Sequence, residues 1–137
     1  MSYQHKINCS LENLKGMRDF IRKSLRSHVV SDVELNEIIL ALDEMCSNLI
    51  IHAHQCNPKH HLEMYIQFPE KSKLVFEIID DGVMFDINRF QEPEIGNLIH
   101  DKRKGGLGIR LVKSIMDEIH YGTRHGRNVC TLVKKIG

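Results

Sequence analysis

No stretch of this chain approaches the roughly 18 consecutive apolar residues that a membrane-spanning helix needs. Its opening residues, MSYQHKINCS, contain no apolar signal core. The expectation is a cytoplasmic protein with no membrane role. Excess charge is missing too: 19 Lys and Arg against 18 Asp and Glu leave a formal net charge of +1. Such an even balance offers no global field for nucleic acid, and any anion has to be held by a local site. Cys9, Cys46, Cys56 and Cys130 form no CxxC pair. They read as reduced thiols, three of them in or at the ends of apolar runs. Repeats, low-complexity tracts and Pro- or Gly-rich linkers are absent, and 137 residues suit one domain, 1–137.

What is present is periodic. Residues 3–9 read as a short strand. Ser10 then stands as N-cap to a helix with Leu14, Met17, Ile21 and Leu25 at spacings of three and four. Arg18, Arg22 and Arg26 form a second row on that helix, a solvated face or a docking surface for an acidic partner. SDVELNEIILALDEMCSNLIIHAHQ is a longer helix, with Ser31 or Asp32 as cap and Glu34 placed as in a capping box. Its expected buried stripe is Leu35, Ile39, Leu42, Cys46, Leu49 and Ala53, and Asn57-Pro58 is its stop. HLEMYIQF and KLVFEII read as strands joined by a polar turn. Residues 87–104 carry little periodicity and form a loop too long for a mere connector. A glycine-led helix follows, with Leu107, Leu111, Ile115 and Ile119 on one face. The end is a hairpin: a strand at 119–123, a turn at His125-Gly126-Arg127-Asn128, and a strand at 129–136. The order implies an α+β two-layer sandwich, with helices over one face of a mixed or antiparallel sheet.

Three clusters carry chemistry. Glu44, Asn48 and His52 are spaced by four, so they share a stripe of the long helix. That stripe is either the waterline of an amphipathic helix or a working pair for phosphoryl chemistry. In the second case the Asn48 amide oxygen suits Mg²⁺ and the Glu44 carboxylate suits proton acceptance. Asp80-Asp81-Gly82 ends an apolar strand. It is either a turn or a place where a carboxylate accepts from an exocyclic amine while the glycine admits a flat ring. KGGLGIRLVKSIMDE, preceded by Lys102 and Arg103, either links two elements or presents backbone N–H groups and cations to phosphate. No strand precedes these glycines and no GK[ST] follows, which excludes Rossmann and P-loop readings.

Taken together and in this order, the clusters resemble the N, G1 and G2 boxes of the Bergerat-fold ATPases. That superfamily includes DNA gyrase, sensor histidine kinases, mismatch-repair proteins and a heat-shock chaperone. The chain looks most like the small stand-alone anti-sigma regulatory factors with serine/threonine kinase activity. LALDEMCSNLIIHAH, IIDDGVMFD and GGLGIRLVKSIMDEIHY carry that resemblance, which extends over nearly the whole domain. It implies a Bergerat-type sandwich with a mixed, mostly antiparallel sheet, and ATP and Mg²⁺ as cofactors. Glu44 would be the general base and Asn48 the Mg²⁺ ligand. Asp80 would accept from the adenine amine, and Gly82 would give the ring room. Gly105, Gly106, Leu107 and Gly108 would form hinge and phosphate cradle, with Arg103 and Lys104 as lid cations.

The implied activity is phosphorylation of Ser or Thr on an anti-sigma factor antagonist of STAS fold, alternating with sequestration of a sigma factor. A homodimer is implied, with no direct nucleic-acid contact. The sequence departs from the family where Val83-Met84 replaces the expected prolines and second glycine. A threonine that relatives carry on a late strand has Thr131 as its candidate. Two further readings stand beside this one. The first is an ATP-binding partner-switch module that transfers no phosphate. The second is a metal protein using His52, His54, Cys56, His60 and His61, although their spacing matches no standard zinc pattern. A two-component histidine kinase would need a dimerisation helix pair, for which this chain has no room.

Overall fold

The computed structural model describes residues 2–28, 30–81 and 106–136. Strand β1 (Ser2–Asn8) leads through a 3₁₀ turn (Leu11–Asn13) into α1 (Leu14–Leu25) and α2 (Asp32–Asn48), whose last turn continues as a π-helix, Leu49–Ala53. Then come β2 (His61–Glu70), β3 (Lys73–Asp80), α3 (Gly106–Ile115), β4 (Glu118–Arg124) and β5 (Arg127–Lys135). The strands form one sheet in the order β1-β2-β3-β5-β4, and every described pairing is antiparallel.

Alternation decides which face of the sheet is covered. Leu62, Met64 and Ile66 of β2 point to the same side as Leu74, Phe76 and Ile78 of β3 and Cys130 and Leu132 of β5. All are sealed from solvent. Met17, Ile21 and Leu25 from α1, Ile38, Leu42 and Met45 from α2, and Ile109 and Val112 from α3 complete this core. The opposite face carries half-buried Tyr65, Glu77 and Thr131 and an Arg124–Glu77 ion pair of 2.7 Å. All described helices therefore lie over one face, as the element order predicts.

Local chemistry explains the boundaries. Ser31 closes a capping box: its Oγ accepts from the Glu34 N–H at 3.1 Å, and its own N–H donates to Glu34 Oε1 at 3.4 Å. Since α2 carries Glu44 and Asn48, its cap bears on the site. Ser31→Ala should lower unfolding stability by about 1 kcal/mol, read from the urea midpoint; an unchanged midpoint would show the cap to be inert.

Several expectations are corrected. Ser10 has extended backbone but makes no side-chain cap; it precedes the 3₁₀ turn, and α1 starts from Asn13. The long helix stops at Ala53, before Asn57-Pro58, because Gln55 and Cys56 adopt positive φ of 50° and 56°. The last helix ends at Ile115, so Ile119 belongs to β4, and its buried side is Ile109, Val112 and Ile115 with Met116 next in the chain. The final turn is only His125-Gly126, with φ of 53° and 77°, the left-handed pair that a two-residue hairpin demands. Arg127 and Asn128 are strand residues.

Cys9, Cys46 and Cys130 are buried thiols and Cys56 is exposed. Burial, with Asp80 second, pushes the Cys9 thiol up to about 11, which keeps it protonated and unreactive. No described helix is long and apolar enough to cross a membrane.

Candidate functional site

The site begins on α2. Asn48 is 1% exposed, and its Nδ2 donates to the Glu44 backbone carbonyl at 2.8 Å. Only the amide nitrogen can serve a carbonyl, so this bond fixes the orientation of the carboxamide. Oδ1 is left as the acceptor end of the amide, a hard oxygen of the kind Mg²⁺ takes together with waters and phosphate oxygens. The donor chemistry at Asn48 therefore fits the metal that the resemblance implies. Glu44 is half-buried, and its pKa is raised by burial first and by the neighbouring Asp43 charge second. Asp43 is held in turn by Arg18 Nη1 of α1 at 2.8 Å. One member of the arginine row is thus a brace for the acidic pair, and Arg22 pairs along its own helix with Asp19 at 3.5 Å.

The π-turn shifts the helical phase beyond Asn48. It inserts a residue into the period just after that position, a feature common at functional sites. His52 ends up exposed rather than on the stripe of Asn48, so the expected Glu44–Asn48–His52 row is broken after its second member. His54 is buried instead, 2% exposed. At about 1.5 Å per residue, Glu44, Asn48 and His54 are spread along about 15 Å of this run.

Asp80, the last residue of β3, is 1% exposed and pairs across the sheet with Leu62 and Asn128. Its Oδ1 accepts from His54 Nε2 at 2.9 Å and from Asn128 Nδ2 at 3.1 Å. The strand-end carboxylate is thereby tied to the helical run that bears Asn48 and Glu44. Outside it, Arg127 Nε donates to Asp81 Oδ1 at 2.7 Å and Arg127 Nη1 to Glu63 Oε2 at 2.7 Å, bracing the exit of β3. A cavity of about 620 Å³ opens here, lined by Ala53, His54, Asn57, His60 and Asp81 among others.

Sequence reasoning missed His54 and Asn128 as neighbours of Asp80. His54 entered only among the zinc candidates, yet its ring nitrogens meet Asp80 and, at 3.0 Å, His60 Nδ1. Among the described residues no group of three or more His, Cys, Asp or Glu is placed to hold a metal. Thr131 lies opposite Glu77, three residues from the position facing Asp80, and alternation turns it to the other face; Asn128 holds that position. Gly106, Leu107 and Gly108 form the first turn of α3, which packs against α2. Gly82, Val83, Met84, Arg103, Lys104, Gly105 and the loop 87–104 lie outside the described residues.

Among known proteins, residues 7–134 match the family described as "Histidine kinase-like ATPase domain". The chain is 28% identical over 96 residues to the serine/threonine-protein kinase BtrW of Bordetella bronchiseptica, covering 69% of this chain and 66% of that protein. It is 28% identical over 102 residues to the serine-protein kinase RsbW of Bacillus licheniformis, covering 70% and 62%. The matches thus span slightly less than two thirds of these relatives' lengths. The backbone superposes on the structure of the RsbU and RsbW domains of Rv1364c from Mycobacterium tuberculosis with a TM-score of 0.67 and 12% identity. That superposition covers 98% of this chain and 32% of the other, a likeness of fold.

Proposed function

Because the chain belongs to the histidine kinase-like ATPase domain family, we propose that it binds ATP with Mg²⁺ and phosphorylates a Ser or Thr of a partner protein. The partner is an anti-sigma antagonist of STAS fold, and the same chain, as a homodimer, sequesters a sigma factor when the antagonist is phosphorylated. The observation that best supports this is the 2.9 Å tie from His54 to Asp80. It draws the carboxylate suited to the adenine amine against the helix whose Asn48 and Glu44 suit the triphosphate end.

In this reading the base lies at Asp80 and the phosphates extend toward Asn48 and the start of α3. Mg²⁺ held by Asn48 Oδ1 would neutralise charge on the phosphate oxygens. The backbone N–H groups of the first turn of α3, at Gly106 and Gly108, meet phosphate at the positive end of that helix. Glu44 takes the proton from the acceptor hydroxyl as that oxygen bonds the γ-phosphorus. The bond from phosphorus to the β,γ-bridging oxygen breaks and ADP leaves. A base with a raised pKa is the better proton acceptor at neutral pH.

The test is incubation with γ-labelled ATP and a STAS-type acceptor encoded beside the chain. Label on a Ser or Thr of the acceptor is the expected result. ATP binding without transfer would instead establish the silent partner-switch module, and no ATP binding would overturn the nucleotide site.

A further inference from the structure

The hydrogen-bond chain behind Asp80 has a direction that the donors themselves dictate. An ionised carboxylate only accepts, so His54 Nε2 donates to it. With a neutral ring, His54 Nδ1 is then an acceptor, and His60 Nδ1, 3.0 Å away, is the donor. His60 Nε2 is left to accept, and Asn57 Nδ2 stands 3.5 Å from it. The Asn57 amide is turned that way because its Oδ1 already accepts from the Lys59 N–H at 3.0 Å. One proton arrangement satisfies the entire series from the surface to Asp80.

We propose that His54 is a positioning residue for base recognition: backed by His60, it fixes the Asp80 carboxylate so that its other oxygen meets the exocyclic amine of adenine. This rests on the assignment of Asp80 to the adenine amine. Two donors on a single oxygen, His54 Nε2 and Asn128 Nδ2, set the plane of the carboxylate and hence where its second oxygen lies. His54 itself is 2% exposed and needs no contact with the nucleotide to act. The energy is concentrated where charge-assisted hydrogen bonds are worth most, in a buried site. The role is therefore specific to bases with a 6-amino group.

The experiment is titration calorimetry of the full chain with ATP and with purine riboside triphosphate, which is ATP without its 6-amino group. His54→Phe keeps a ring and removes the donor. ATP affinity should fall about tenfold, the scale of one lost charged hydrogen bond, with the affinity for the analogue holding. His54→Gln, which can donate from Nε2 and accept at Oε1, should restore most of the discrimination. His60→Ala changes an exposed residue, so it tests the proposal even if the Phe variant fails to fold. A several-fold loss for ATP alone is expected there, since the donor that fixes the His54 tautomer is gone. Equal losses for both nucleotides in the folded variants would reduce His54 to a structural residue and overturn the inference. A wild-type chain that binds both nucleotides equally well would overturn the Asp80 assignment beneath it, and one that binds neither would overturn the nucleotide site.

Discussion

Glu44→Gln should lower the rate of phosphotransfer by about 10²–10⁴-fold, the usual contribution of a positioned general base, with ATP affinity retained. The structure explains why these two effects separate. Asn48 is oriented by the backbone carbonyl of Glu44, not by its side chain, so the substitution leaves the proposed metal ligand in place. Glutamine preserves the volume of the side chain and loses only its ability to take a proton. The same variant has a signature in stability. Burial and Asp43 raise the pKa of Glu44, so the folded chain binds that proton more tightly than the unfolded chain does. Glu44 thus contributes stability that is present below its unfolded pKa and lost as pH rises through the folded value. At neutral pH the ionised form is net destabilising, and Gln removes it. The melting temperature of the variant should equal or exceed that of the wild type at pH 7, and the gap should close toward acid pH. Full transfer activity in the Gln variant would refute the role of Glu44. A lower melting temperature at pH 7 would show that the carboxylate is stabilised by contacts other than those described.

The strands and the first two helices were legible because their signals are local. Alternation over residues 61–68 and 73–79 is a period-two pattern that survives any tertiary arrangement, and Ser31 with Glu34 announces a helix start through bonds three residues apart. Glu44, Asn48 and Asp80 were legible as candidates for the same reason, each lying in a short motif. The partners of Asp80 were not. A π-turn has no local signature in LIIHA, and its extra residue is what exposes His52 and buries His54. Asn128 was hidden by a different error. Extending the last turn over 125–128 removes it from the strand, whereas the observed turn stops at Gly126 and restores the pairing of Asn128 with Asp80. The buried side of α3 was legible in part: Ile115 enters the core and Leu111 packs against it, as the stripe implies. The helix ends before Ile119, however, and the core also takes Ile109 and Val112.

Asp80→Asn should produce the largest change in base selectivity, and its direction follows from the two donors described at Oδ1. Two N–H groups, from His54 and Asn128, already point at Oδ1 in a buried setting. A carboxylate can serve both and still offer its second oxygen to the adenine amine. A carboxamide has only one oxygen. If that oxygen stays with His54 and Asn128, the amide NH₂ faces the adenine amine, donor against donor. If it turns to the adenine, the two buried N–H groups face an NH₂, which costs the protein its own satisfied pair. The first arrangement is the less costly, because it keeps the folded network and moves the conflict to the ligand. ATP affinity should therefore fall by about 10–100-fold, the scale of a charged hydrogen bond replaced by a repulsive contact, while stability changes little. Inosine triphosphate carries a carbonyl where ATP carries the amine, and the turned-out NH₂ of the substituted side chain can donate to it. The preference for ATP over inosine triphosphate should narrow or reverse, as measured by titrating both nucleotides into wild type and variant. A variant that loses affinity for both nucleotides equally would mean that Asp80 holds the fold together but reads no base. That outcome would leave the strand-end carboxylate without a part in recognition.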